Sequence, residues 1–338
     1  AYFGAGEAMR AFIGQVNGED ADLGKLIINN NATGNSHILF KSNNDILGDL
    51  YLNGTSLILG SRPSNSTNAT YGANNISIGP NNWSSTGVAG NSNITIGDNS
   101  MQALTTGVSN IGIGTTLNAL TTGSNNVAVG DNSLKNSNGS FNVAVGANAY
   151  QQGTGGSNVI VGGDAMSKYS GNNNVVMGTQ AMYYGSGNNN VAIGTNANYN
   201  GTNSEATYEG TTAVGHNAQA RSLNSTAIGR ESIAGTAGSN NYFASAVAIG
   251  YKANATGAYA VSIGENSNAT AFGGTALGRM ANSTSDNAVA INGTAAGFAS
   301  VAMGIGSSSS GSSSVAIGNG ASSTNQSAIA IGSSARAA

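Results

Sequence analysis

The chain has 338 residues, of which 7% are charged, 51 are glycine, 2 are proline and none is cysteine. A typical soluble domain is about 25% charged, so solubility here rests on Asn, Ser and Thr, and the net charge of -3 excludes an electrostatic surface for nucleic acid or anionic membrane. The lack of cysteine excludes a disulfide frame and a thiolate metal site, and no run of 18 apolar residues exists to cross a bilayer as a helix.

In chain order, residues 1–60 read as a β-rich shaft or cap. The sequence opens at Ala1 without Met, which points to a missing upstream portion. Residues 7–13 fit a strand or a short helix. Lys25–Ile28, His37–Phe40 and Asp49–Leu52 read as short strands, and Leu57–Gly60 as a candidate first strand of the repeat region. Such a segment would set chain register and shield the first exposed edge of a stacked sheet. Glu19, Asp20 and Asp22 lack the alternating oxygen spacing of a calcium loop and read as a solvated turn.

Residues 61–338 are repetitive. An apolar-small-apolar-Gly unit recurs, as in Ile76–Gly79, Val127–Gly130, Val143–Gly146, Val191–Gly194, Val261–Gly264 and Val315–Gly318. Alternation over so few positions is a very short strand. The closing glycine suits a turn with positive φ or a close backbone approach, and Asn292, which closes Val289–Ile291, is the next-best residue for such a turn. The turn glycines Gly130, Gly146, Gly162, Gly178 and Gly194 are spaced by 16; the steps through Gly250, Gly264 and Gly278, and from Gly304 through Gly318 to Gly332, are 14. The predicted layout is therefore 16-residue coils over about 110–194, mainly 14-residue coils over about 210–334, and insertions at about 198–210 and 233–244, where the step is 21. A small residue three positions after many closing glycines, such as Ser133, Ala149 or Ala253, marks a second short segment in each unit.

A unit this small has no core of its own, so it is one coil of a stacked parallel β-solenoid. Each coil adds about 4.8 Å of length. The apolar pair of one coil contributes ~3–6 kcal/mol when fully buried. Ordering 14 residues opposes folding by about 1–2 kcal/mol each. A second apolar contact surface is needed, and oligomerisation supplies it.

Departures from the repeat are where binding is sought, because loops on a rigid scaffold commonly carry function. The insertions hold the receptor-binding candidates Tyr199, Tyr208, Tyr242 and Phe243, aromatic residues suited to sugar or protein surfaces. Tyr150, Tyr169, Tyr183 and Tyr184 recur after the small second segment and read as packing along the outer face. No constellation of ionisable groups points to chemistry. The two histidines, His37 and His216, lie in unrelated segments, and His216 reads as a surface turn residue. Glu205 and Glu209 are the only close acidic pair near a candidate site. The glycine run at Gly153–Gly156 lacks the lysine and helix of a phosphate loop. No catalytic, cofactor or metal residue is assigned, and the expectation is a non-enzyme.

The later units, Ser300–Gly304, Ser314–Ala321 and Ala246–Ala253, resemble the head repeat of YadA-type trimeric autotransporter adhesins over about 210–334. The resemblance implies a left-handed parallel β-roll with three chains side by side, a homotrimer outside the cell that binds a cell-surface glycan, a protein receptor or extracellular matrix. The 16-residue block, with units such as Thr122–Gly130, is similar instead to repeats of phage tail fibres. Two settings are open: a bacterial surface adhesin head, favoured by the 14-residue block, and a virion tail fibre. The 16-residue block, the shaft-like start and the lack of a neck after the last repeat favour the second. A filament or surface-layer subunit without a receptor site is the alternative of another class. An ice-binding face ranks last, since the threonines hold no single phase.

Overall fold

The computed structural model describes residues 36–42, 45–53, 56–60, 72–80, 82, 90–168, 170–199, 206–207, 209–236 and 245–338. These residues contain strands and turns and no helix. They form a parallel β-solenoid of about 17 turns.

The chain enters it through an antiparallel meander. Strands Ser36–Ser42 and Asp45–Asn53 pair antiparallel, with a register irregularity at Phe40/Lys41, and Asp45–Asn53 pairs antiparallel with Ser56–Gly60. Ser56–Gly60 then pairs parallel with Ile76–Ile78, matching Leu57 to Ile76 and Leu59 to Ile78. It thus occupies the first edge of the parallel sheet, which would otherwise be open to another chain.

From Ile76–Ile78 to Ile329–Ile331 each coil adds one three-residue strand to this sheet, always in parallel register, as in Val127↔Val143 and Val129↔Val145. The first residue of each strand is β-branched, which suits a pleated surface. A second parallel sheet of two-residue strands begins at Gln219–Ala220 and ends at Arg336–Ala337. Each coil with two strands is therefore flattened, with one turn after the closing residue and another on the opposite edge, leading back to the next strand.

The closing glycines lie at φ from 103° to 140°, with Gly130 at 119°, Gly178 at 133° and Gly264 at 137°. A Cβ on Gly130 would stand 2.8 Å from the carbonyl of Gly146 in the next coil, and one on Gly178 would stand 2.6 Å from the carbonyl of Gly194. Both positive φ and close approach are present. Gly332 closes the last described coil: its φ of 126° is the same, but the close backbone neighbour is missing. Asn292 is different: its φ of 52° is ordinary left-handed geometry in a turn that is two residues shorter. As the sequence suggested, Asn292 is left-handed, and it opens a rebuilt corner.

The two coil lengths differ in how they fill their interior. In the 16-residue coils the fourth residue after the closing glycine is itself left-handed: Leu134 (φ 49°), Tyr150 (50°), Met166 (44°) and Met182 (51°). All four are completely buried. In the 14-residue coils this position is extended and starts the second strand, and the next residue turns inward. That residue is small, as in Ala220, Ala255, Ala269 and Ser309. A wider coil holds one large apolar side chain; a narrower one is filled by Ala and Ser.

Tyr150 corrects a sequence reading. It packs inside the coil and not along the outer face. Met166 and Met182 share its phase, whereas Tyr183 and Tyr184 lie one and two residues later, half-exposed; Tyr169 is outside the described residues.

The interior of the 16-residue block and of the two coils before it also holds a column of buried asparagines: Asn75, Asn93, Asn110, Asn126, Asn142, Asn158, Asn174 and Asn190. Each stacks on the one before. The Asn126 amide donates to Oδ1 of Asn110 at 3.0 Å and to the Gly139 carbonyl at 2.9 Å, and its own Oδ1 accepts from Asn142. Thr211 ends the column, donating backbone N–H and hydroxyl to Oδ1 of Asn190. From there on Ala, Ser or Gly occupies the position, and the coil narrows to 14. Buried amides are tolerated because each finds its partners in the adjoining coils.

Candidate interaction surfaces

Each three-residue strand of the long sheet, from Ile76–Ile78 to Ile329–Ile331, buries its middle residue and brings the residues on either side to the surface. The middle residue is usually Ala; its neighbours are Val, Ile, Thr, Leu or Met. Ile78, Ile96, Ile113, Val159, Met177, Ile193, Ile228, Ile263 and Met303 are each more than a third exposed. Because every coil is in register, these side chains form one apolar stripe along the rod. It amounts to on the order of 10³ Å², beyond the few hundred Å² usual for a monomer's patches. Parallel sheets normally have both faces covered; here the outward face of the long sheet is bare in a single chain.

The second surface is aromatic. Tyr183 and Tyr184 meet edge to face with centroids 4.5 Å apart, and Tyr199 from the next coil lies 6.1 and 6.0 Å from them. The Lys168 ammonium sits 5.8 Å from the centre of the Tyr183 ring. Tyr199 is thus the one receptor candidate placed among the described residues, and it stands at the start of the first insertion. Tyr208, Tyr242 and Phe243 lie outside the described residues, as does Glu205; Glu209 is exposed. Gly185–Ser186 pairs parallel with Ala206–Thr207, within that insertion. Ile233–Ala234, at the start of the second predicted insertion, is a strand of the second sheet, paired with Gln219–Ala220 and Asn254–Ala255.

The closing edge of coils 216–279 carries a run of charge. Arg230 and Lys252 reach Glu231 at 2.8 and 3.6 Å, and Arg279 reaches Glu265 at 3.6 Å. Arg230 and Lys252 also flank the Tyr251 ring at 5.5 and 5.2 Å. His216 is exposed on the same edge. Among the described residues no group of three or more His, Cys, Asp or Glu converges as a metal site.

The family description "YadA head domain repeat" matches residues 209–232, 244–267, 268–291 and 295–321. Residues 209–321 carry YadA head repeats. A comparison with curated proteins finds no match. The YadA head repeats coincide with the narrow coils that have two sheets and an Ala/Ser interior, whereas the asparagine-filled coils lie N-terminal to them. Two features escape a reading by residue type. The asparagines looked like surface solubilisers, although their 16-residue recurrence was the signal of an internal column. The step from Asn292 to Gly304 is 12 and not 14, a spacing visible in the sequence whose meaning depends on the neighbouring coils.

Proposed function

We propose that this chain is one third of a homotrimeric attachment fibre, with the apolar stripe of each protomer packed around a common axis. The observation that carries the reading is the unbroken outward row of β-branched residues on a parallel sheet with one bare face. Three such stripes meeting along their length bury this surface without any new sequence. The YadA head repeats support the same association, since proteins of that kind form homotrimers.

The fibre acts outside the cell as the head of a surface adhesin, a structural protein and not an enzyme. Its receptor is a cell-surface glycan or protein, or extracellular matrix, held at the Tyr183–Tyr184–Tyr199 cluster beside the first insertion. Stacked rings with an adjacent ammonium suit a sugar face or a protein surface with exposed aromatic or acidic groups. A phage tail fibre is the second reading; the 16-residue coils, which lie outside the matched segments, favour it.

Light scattering tests the association. The expected mass is about 100 kDa, three times 33.2 kDa, consistent with a closed cyclic oligomer. Replacing Val143 and Val145 with Asp places carboxylates on the stripe and is expected to yield monomers. A wild-type monomer would overturn the proposal. For the receptor, Tyr183→Ala with Tyr199→Ala should abolish adherence to cells or immobilised glycans while leaving the mass at three chains; unchanged adherence removes the cluster from the binding surface.

A further inference from the structure

The stripe explains association but not alignment. Its residues repeat at every coil, so sliding one protomer by one coil, about 4.8 Å, replaces each apolar contact by a nearly identical one. Repetitive strands specify register weakly. A feature that occurs once among the described coils is needed to break the degeneracy.

The coil closed by Asn292 has such a feature. Elsewhere in the 14-residue block four residues link the two strands of a coil, as at 264–267; here only Asn292 and Gly293 do. Thr294 nevertheless pairs in register with Asn282 and Ser308. The missing pair leaves a notch of about 440 Å³ in the closing edge, between Arg279 and Met280 of the preceding coil and Ile305 of the following one. Its walls are unusually bare: Met280 is 61% exposed and Ile305 71%. The shortened corner falls in the gap between matched segments 268–291 and 295–321, where the YadA head repeat is interrupted, while the walls Arg279, Met280 and Ile305 lie within them.

The opposite edge carries complementary groups at the same heights. Phe272, Asp286 and Phe298 occupy equivalent turn positions in three consecutive coils, shown by Asn287 N–H donating to the Phe272 carbonyl and Ala299 N–H to that of Asp286. Phe298, 55% exposed, belongs to the notched coil. Asp286, also exposed, belongs to the coil that presents Arg279. In a ring of parallel protomers at equal height, the closing edge of one meets the opposite edge of the next.

We propose that Phe298 of each protomer enters the notch between Met280 and Ile305 of its neighbour, with Asp286 facing Arg279, and that this contact sets the axial register of the fibre. It rests on the trimeric reading. A phenyl ring fits the space and covers two apolar side chains otherwise open to water. The charge pair one coil away favours the same alignment; a slip in either direction removes the ring from the notch and the carboxylate from the guanidinium.

The chain contains no cysteine, so introduced thiols report the contact directly. In the full chain, Met280→Cys with Phe298→Cys is expected to give covalent trimers on mild oxidation, while each single variant stays uncrosslinked. Phe298→Cys with Ser334→Cys, whose second site lies on the closing edge in the last coil, well beyond the notch, is expected to give none. Both replaced residues of the test pair are largely exposed, so the fold tolerates them. Native mass is measured on the same samples. A trimer that does not crosslink through Met280, or crosslinks equally through Ser334, overturns the notch contact and leaves the trimer standing. A monomer overturns both.

Discussion

Asn142 sits directly on Asn126 in the adjoining coil: its backbone N–H and its side-chain amide both donate to Oδ1 of Asn126, at 3.0 and 3.2 Å. The second amide hydrogen reaches the Gly155 carbonyl at 3.0 Å, and Oδ1 of Asn142 receives the same pair of donors from Asn158. Every polar atom of this buried side chain is therefore used, and each bond joins one coil to another.

Truncating one rung leaves two buried groups without partners. Asn142→Ala strands the Asn158 backbone N–H and the Gly155 carbonyl, each worth about 1–3 kcal/mol, and leaves the Asn158 amide with the Tyr150 hydroxyl and the Gly171 carbonyl as acceptors. The expected loss is about 3–5 kcal/mol in denaturant unfolding, against less than about 0.5 kcal/mol for Asn136→Ala on the exposed turn. Equal effects at the two sites would show that the column contributes nothing beyond propensity.

Tyr150 gives the fold an alkaline limit. Its hydroxyl donates to the Gly171 carbonyl at 3.0 Å and accepts from Gly155 N–H at 2.8 Å and the Asn158 amide at 3.2 Å. Burial pushes its pKa up from 10.0 to about 12, although the bonds from Gly155 and Asn158 favour the phenolate. The folded state thus holds its proton more tightly than the unfolded chain. The stabilisation is complete below pH 10 and is lost as pH rises from there through about 12. Stability measured across pH 9–12 should fall for the wild type, and fall less for Tyr150→Phe, which at neutral pH should be about 1–3 kcal/mol less stable. Parallel curves would refute the assignment.

Two neighbouring glycines should behave in opposite ways. Gly146 lies at φ 130°, and a Cβ there would stand 2.6 Å from the Gly162 carbonyl oxygen. Gly163 has open space around its missing Cβ and no positive φ. Gly146→Ala should cost more than about 3 kcal/mol or prevent folding, as backbone would have to move. Gly163→Ala should be neutral or stabilising by up to about 1 kcal/mol. Thermal unfolding of the pair decides it.

Periodicity is the part of this protein that the sequence determined by itself. Apolar-small-apolar-Gly at regular steps can satisfy its backbone only by pairing with its own copies, so the all-β class, the solenoid and the strands of the long sheet were legible in units such as Val127–Gly130. The resemblance of the later units to YadA head repeats was legible for the same reason. The tertiary structure decided where side chains go once coils stack. Tyr150 and the asparagine column look like surface residues by type, yet left-handed backbone at Tyr150 turns the ring inward, and amides become tolerable inside because adjoining coils supply their partners. Likewise the 12-residue step at Asn292 is only a count until Met280 and Ile305 are set on either side of it. These outcomes depend on what lies one coil away, and that neighbour is 12 to 21 residues distant in the chain.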